Sequence, residues 1–404
     1  MRKFILLLSA ALLTSFIYAQ NSTQWRGEKR DGFYNETGLQ KKWADAGPKL
    51  LWHFDQIGDG HASATVTTDR VYTAGMKESS GYVFCFDMAG KLLWETLYGA
   101  EWDENWNGTR STPVVNEGKL YIMSSFGKLV CMDANAGKIL WSIDLMKDYG
   151  ALNIQWGLTE NLLIDGKMLY CTPGGPDANV LALDKSTGKL IWKSKGKGEK
   201  SAYGSPMIIS LPNLKILVTM TANSILGIDA SNGTLLWSHE QTNQWSVHPN
   251  TPVYENGMLY CTSGYGKGGV MLQLSADGKS VKELWRNSTL DSRMGGVIMS
   301  KGKIYGTGDK TKKLQCLDQK TGALVYSVAN LSPGNIISAE GLLYVYSEGG
   351  VVALVEPLAD SFNILSSFKV PFGTSQHWAH LVINNKRLYV RHGNSLMVYD
   401  IAAK

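Results

Sequence analysis

Of the thirteen tryptophans in this 404-residue chain, six recur at one repeated position and Trp25 and Trp43 lie near the N-terminus, which leaves Trp102, Trp106, Trp156, Trp245 and Trp378. Stretches of the same unrepeated kind also carry His61, His248, His377 and His380, the cations Arg110 and Arg293, and Tyr203, Gln155, Asn107, Asn250 and Glu160. Indole and phenol rings stack on planar or apolar ligand faces, guanidinium groups grip carboxylates, and imidazole and carboxyl groups can move protons. Five exposed indoles would present roughly 750–1,250 Å², against a largest apolar patch of roughly 300–600 Å² on an ordinary monomer. Two arrangements satisfy that imbalance. The tryptophans pack on one another as a plug, or they line a funnel that stacks a planar, sugar-like or peptide ligand, and the second is preferred. The expected ligand-binding set is Trp102, Trp106, Arg110, Trp156, Tyr203, Trp245, His248, Arg293, His377 and Trp378.

Motifs for catalysis or metal binding are incomplete. Asp103, Asn105 and Asn107, followed by Gly108, match the first half of a calcium loop, but its twelfth position, which should supply a bidentate carboxylate, is Val114. His377 and His380 have a spacing that would suit a metal on a helix, yet their surroundings read as a loop entering a strand. Gly264, Gly266 and Gly269 form GxGxxG between two strands, where a hairpin is expected rather than a dinucleotide site. No GxSxG or HExxH occurs. Glu160 and Asp103 are the carboxyls available as a base.

The elements that must position these residues come from an internal repeat. An apolar strand, an Asp, a Gly-containing turn and a strand ending in Trp recur as GYVFCFDMAGKLLW to Trp94, GKLVCMDANAGKILW to Trp141, NVLALDKSTGKLIW to Trp192 and SILGIDASNGTLLW to Trp237. Weaker copies end at Trp285, at Tyr326 and, much eroded, at Phe368. SLMVYD near the C-terminus lacks its outer strand, and GPKLLW ending at Trp52 supplies one. Eight further strands of the type GKLYIM or GMLYCT, each preceded by a short strand such as STPVV, complete four strands per unit. The expected fold is all-β: an eight-bladed β-propeller of four-stranded antiparallel blades over 48–404, closed by pairing its two ends. The repeated Asp should hold the turn, Gly should take a positive φ, and Trp should pack across onto a neighbouring blade. The unrepeated aromatics fall in the connectors between blades, which ring the mouth of the central channel.

Arg2, Lys3 and the apolar run Phe4–Ile17, ending Tyr18-Ala19-Gln20, read as a signal peptide over 1–19 cleaved near Ala19, followed by a leader over 20–47. A periplasmic or secreted, soluble monomer is expected, with no membrane span. The formal charge of +5, less Arg2 and Lys3, leaves +3, too mild a balance for nucleic acid as the main partner. Of the five cysteines, Cys85, Cys131 and Cys316 occupy one repeat position and Cys171 and Cys261 another. Equivalent positions in different blades are too far apart to pair, so buried thiols are expected.

The Asp-TGK-Trp pattern resembles the pyrroloquinoline-quinone-type repeat of tryptophan-docking propellers, which include quinoprotein alcohol dehydrogenases and an outer-membrane assembly lipoprotein. The segment from Trp25 to Trp43 is similar to the leader of exported members without an assigned function. The resemblance implies a propeller and leaves the activity open. The adjacent cysteines, the calcium-holding Glu/Asn/Asp set and the lipidation cysteine of those relatives find no counterpart by motif. The leading expectation is an exported, non-catalytic propeller binding a glycan, a peptide, another small molecule or an envelope protein through its Trp-rich face. The alternative is a quinone-dependent alcohol or sugar dehydrogenase using PQQ with calcium, Arg110 or Arg293 holding its carboxylates. A third is a platform that binds partners by its blade edges.

Overall fold

The computed structural model describes residues 23–329, 331 and 333–403; the expected signal peptide lies outside the described residues. Eight sheets follow one another around a ring. Blade 1 consists of strands Thr65–Val66, Arg70–Lys77, Ser80–Asp87 and Leu92–Ala100. Blades 2 to 7 repeat this over 114–144, 163–194, 207–240, 253–287, 297–329 and 334–369. Blade 8 takes Val382–Asn384, Arg387–His392 and Ser395–Asp400 from one end of the chain and Lys49–Phe54 from the other, with Trp52 opposite Val398. The chain is thus an eight-bladed β-propeller closed by its own ends.

The repeat residues explain the turns. The Oδ1 of Asp133 accepts from the backbone N–H groups of Asn135 and Ala136, and Asp184 holds Ser186 and Thr187 in the same way. The glycine that follows meets the preceding blade: a Cβ on Gly137, at φ +69°, would lie 2.7 Å from the Trp94 ring. Gly90, Gly188, Gly233 and Gly322 lie equally close to Trp52, Trp141, Trp192 and Trp285. Each glycine therefore serves two purposes, the left-handed turn and room for the neighbour's indole. Several indoles also donate across the gap, Trp192 to the Ala230 carbonyl at 3.0 Å and Trp285 to that of Gln319 at 3.0 Å.

Outer strands carry a bulge at the residue before the Trp position. It puts Leu51, Leu140, Ile191 and Leu284 on the exposed edge. The extra residue disrupts the edge ladder where another strand would otherwise add. The same register corrects the reading of blade 7. Leu354 pairs with Ser366, and Val355 with Ile364, so Ser366 rather than Phe368 holds the Trp position.

The indole missing there comes from the leader. In blades 1, 2, 3 and 5 a strand tyrosine faces the outer Trp at centroid distances of 6.0, 6.1, 5.9 and 5.6 Å. In blade 7 Tyr344 faces Trp43 at 5.9 Å, and the Ser366 hydroxyl accepts from the Trp43 backbone N–H. The leader is also a strand, Phe33–Tyr34, paired in parallel with Gly334–Ala339 as a fifth strand of blade 7.

Upstream, the leader crosses the bore. Thr23 bridges to Val115 of blade 2, and Gln24 donates to Ile164 of blade 3. The fully buried Arg30 donates to the carbonyls of Leu162 and Asn161 at 2.8 and 2.6 Å. On the far side Arg26, also fully buried, donates to Val297 of blade 6, to Ile336 of blade 7 and to Gly295. Two guanidinium groups so placed satisfy carbonyls that the inner strands leave unpaired in the centre of the ring.

The five cysteines are buried and free. Gly264, Gly266 and Gly269 join two strands of blade 5 as a hairpin. One short helix, Leu145–Tyr149, follows blade 2; its N-cap is Asp144 and its C-cap Gly150, two signals too local to leave a helical period. None of the helices among the described residues is long and apolar enough to cross a membrane.

Candidate functional site

The connectors from outer strand to next inner strand converge on one mouth of the ring and enclose a cavity of about 430 Å³, within the size range of ligand pockets. Two aromatic walls face it. Trp106 and Trp378 stand 5.5 Å apart with their planes tilted by 44°, and Trp156 and Trp245 stand 6.4 Å apart at 57°, with Tyr203 6.0 Å from Trp156. Trp106 and Trp245 form the rim and are 51% and 48% exposed. Arg110 ties the walls together, donating to the backbone carbonyl of Trp106 in one and of Trp156 in the other. Burial lowers its pKa to about 10, so the group stays charged at neutral pH.

Three lining residues with bulky rings, Trp106, Tyr203 and Tyr265, sit at φ +60°, +66° and +61°. That region disfavours large side chains, and strain of this kind is held at binding and active sites by the structure around it. The rings are aimed at the cavity at a conformational cost.

Arg293 lies 5.8 Å over the Trp378 ring and is paired with Glu348 at 2.6 Å. His61 packs 4.8 Å from Trp378 with the planes tilted by 49°, and neither of its ring nitrogens has a hydrogen-bond partner. Burial first, then the nearby charges of Arg110 and Arg391, push its pKa down to about 3, which keeps the imidazole neutral. The floor is the leader: Trp25 meets His380 edge-on at 4.8 Å, His380 Nε2 donates to the Met294 carbonyl, and Arg26 donates to His380 Nδ1.

Not every expected residue reaches this cavity. Trp102 turns aside onto Phe126 and donates to the Asn105 carbonyl. His248 is buried between the Ser263 hydroxyl and the Ala222 carbonyl, and Asn250 spans Ser292 and Gly296; both brace the connectors. His377 packs 3.6 Å from His392 and bonds the Tyr346 hydroxyl, while His380 turns to Arg26, so the two do not converge on a metal. Glu160 lies beneath the cavity, where its carboxylate accepts from the Thr172 backbone N–H, and burial raises its pKa to about 8. Asp103 is exposed on its loop. Neither is placed as a base for a ligand in the cavity. In the loop of the calcium reading the Asn107 amide N–H donates to Asp59 and the Asn105 backbone carbonyl accepts the Trp102 indole N–H, bonds that leave both asparagine side-chain oxygens unused. Sequence reasoning missed Trp25, Thr159, Asn161, Val247, Pro249, Tyr265 and Met294, which the fold brings to the cavity from several connectors, a hairpin and the leader.

A quinone bearing carboxylates would find two guanidinium groups here, but no Asp or Glu lines the cavity to hold the calcium that such a cofactor needs. Among the described residues no three His, Cys, Asp or Glu side chains cluster closely enough to bind a metal. The residues present therefore do not fit quinone with calcium.

A family model described as outer membrane protein assembly factor BamB matches residues 79–328. The chain belongs to this family. BamB of Burkholderia pseudomallei is 24% identical over 304 residues, 72% of each chain. The quinoprotein alcohol dehydrogenase PedH of Pseudomonas putida is 26% identical over 178 residues, 41% of this chain and 28% of that protein, so this BamB-family chain spans less than a third of that relative's length. The crystal structure of BamB from Moraxella catarrhalis superposes with a TM-score of 0.61 at 15% identity, covering 87% of this chain and 99% of that one.

Proposed function

We propose that this BamB-family propeller is an exported, non-catalytic binding protein of the cell envelope, acting as a monomer, whose Trp-rich mouth takes a carbohydrate or a peptide, free or as part of a partner protein. The observation that carries the reading is the cavity itself: four indoles in two tilted walls, tied by Arg110, with no carboxylate lining it. Binding is well served by such a surface, whereas for proton abstraction it offers only His61, a weak base with its pKa lowered by burial to about 3. The name of the BamB relatives, outer membrane assembly factors, supports an envelope location.

The test is titration of the mature protein with a panel of soluble oligosaccharides and short peptides, followed by intrinsic tryptophan fluorescence. A ligand that shifts the emission and is lost in Trp106→Ala/Trp245→Ala supports the reading. A panel that leaves the emission unchanged, or a double variant that binds as well as the parent, overturns it.

A further inference from the structure

Resting on that reading, we infer that the cavity is a site for an acidic saccharide, with the ligand carboxylate facing Arg110, ring hydroxyls facing His61, and the C–H faces of the sugar against Trp106 and Trp378.

Three observations point to this class. The first is charge. Arg110 and Arg293 both line the cavity and no acidic residue does. Arg293 is already paired with Glu348, whereas the terminal nitrogens of Arg110 meet only the carbonyls of Trp106 and Trp156. Arg110 is half-buried, and the acidic group acting on it, Glu101, has its pKa raised by burial to about 7, so the guanidinium is incompletely compensated and attracts an anion more strongly than one at the open surface.

The second is shape. With centroids 5.5 and 6.4 Å apart and planes tilted by 44° and 57°, the indoles of each pair pack on one another and turn a stepped rather than a flat wall to the cavity. A flat aromatic ring stacks best on a single flat face; a puckered ring, with C–H groups on both faces, lies against a stepped wall.

The third is an unmet polar demand. His61 is 9% exposed, lines the cavity, and leaves both ring nitrogens without a partner. Buried polar groups nearly always find partners, so an orphaned imidazole at a cavity wall marks a group that a ligand satisfies once the ring turns its nitrogens, both closed off here, toward the cavity. A neutral imidazole donates from one nitrogen and accepts at the other, and vicinal hydroxyls offer both roles. Peptide backbone or an apolar chain would suit the aromatic walls but would leave the guanidinium charge unanswered.

The experiment is calorimetric titration of the mature protein with a hexuronate trisaccharide and with the neutral hexose trisaccharide of the same linkage, at low and high salt. The expected result is roughly tenfold or greater preference for the uronate, shrinking at high salt and lost in Arg110→Gln. His61→Phe, which keeps the ring and loses both nitrogens, should weaken both sugars; Trp102→Ala, outside the cavity, should change neither. Should Arg110→Gln fail to fold, the salt dependence of the unaltered protein and Arg110→Lys carry the same information. Equal affinity for the two sugars overturns the acidic class and leaves the aromatic binding site standing. Failure of both sugars, with a peptide from the wider panel still bound, overturns the saccharide class alone; failure of every probe overturns both readings.

Discussion

Trp43 of the leader faces Tyr344 of blade 7 at 5.9 Å, the spacing at which other blades pair a strand tyrosine with their own outer-strand tryptophan. Blade 7 has Ser366 in that place. The leader therefore completes a blade that the repeat left unfinished, and it does so while anchoring the segment that floors the cavity.

Trp43→Ala should cost about 3–5 kcal/mol of stability, the usual loss for a large buried aromatic, read from the midpoint and slope of urea unfolding. Trp43→Phe should recover part of it. A change within about 0.5 kcal/mol, the range of ordinary surface substitutions, would show that the leader does not belong to the core.

Arg26 and Arg30 should resist conservative replacement. Arg26 donates to carbonyls contributed by blades 6 and 7, and Arg30 to two carbonyls at the entry to blade 3. The compact ammonium of lysine cannot span diverging acceptors. Arg30→Lys and Arg30→Met should both lower the melting temperature, since each leaves a buried carbonyl unpaired at about 1–3 kcal/mol. A melting curve unchanged by Arg30→Met would remove the bore-crossing contact from any account of stability.

Two classes of turn glycine separate clash from strain. Gly118, at φ +73°, has nothing within 4 Å of the place a Cβ would occupy, whereas a Cβ on Gly137 would strike Trp94. Gly118→Ala should cost only the left-handed penalty, roughly 1–2 kcal/mol. Gly137→Ala should cost distinctly more, and equal losses in thermal unfolding would argue against the interblade contact.

Stability should fall as pH rises from about 6.5 to 8. The carboxyls of Glu160 and Glu101 have their pKa values raised by burial to about 8 and about 7. Groups raised in the folded state favour folding while protonated, and that stability is lost as pH climbs through the folded value. The buried histidines act oppositely: His61 and His248, lowered by burial to about 3 and about 4, favour folding above their unfolded value near 6.5 and lose that contribution as pH falls. Above 6.5 the carboxyls dominate, so Glu160→Gln should flatten the decline in urea-derived stability between pH 6.5 and 8. A slope unaltered by this substitution would contradict the assignment.

The eight-bladed fold was legible in the sequence because most blades restate the same local chemistry: an Asp that holds a turn, a Gly that allows it, and a large ring beside it. Such signals act over a few residues and survive erosion in single copies. The pairing of Lys49–Phe54 with the C-terminal strand was legible for the same reason, since each end carried half of a recognisable unit. The Ser366 register was not, because a bulge shifts the pairing by one residue without leaving a mark in composition.

For the site, sequence determined which side chains fall in the connectors; tertiary structure decided which of them meet. Trp106, Trp156, Trp245, Trp378, Arg110, Tyr203 and Arg293 converge on the cavity, while Trp102, His248 and His377 turn into packing. The leader's passage through the bore, with Trp25 as floor and Arg26 and Arg30 as its anchors, has no local signature at all. It depends on carbonyls brought together from blades 3, 6 and 7, residues far apart in the chain whose unpaired acceptors exist only once the ring has closed.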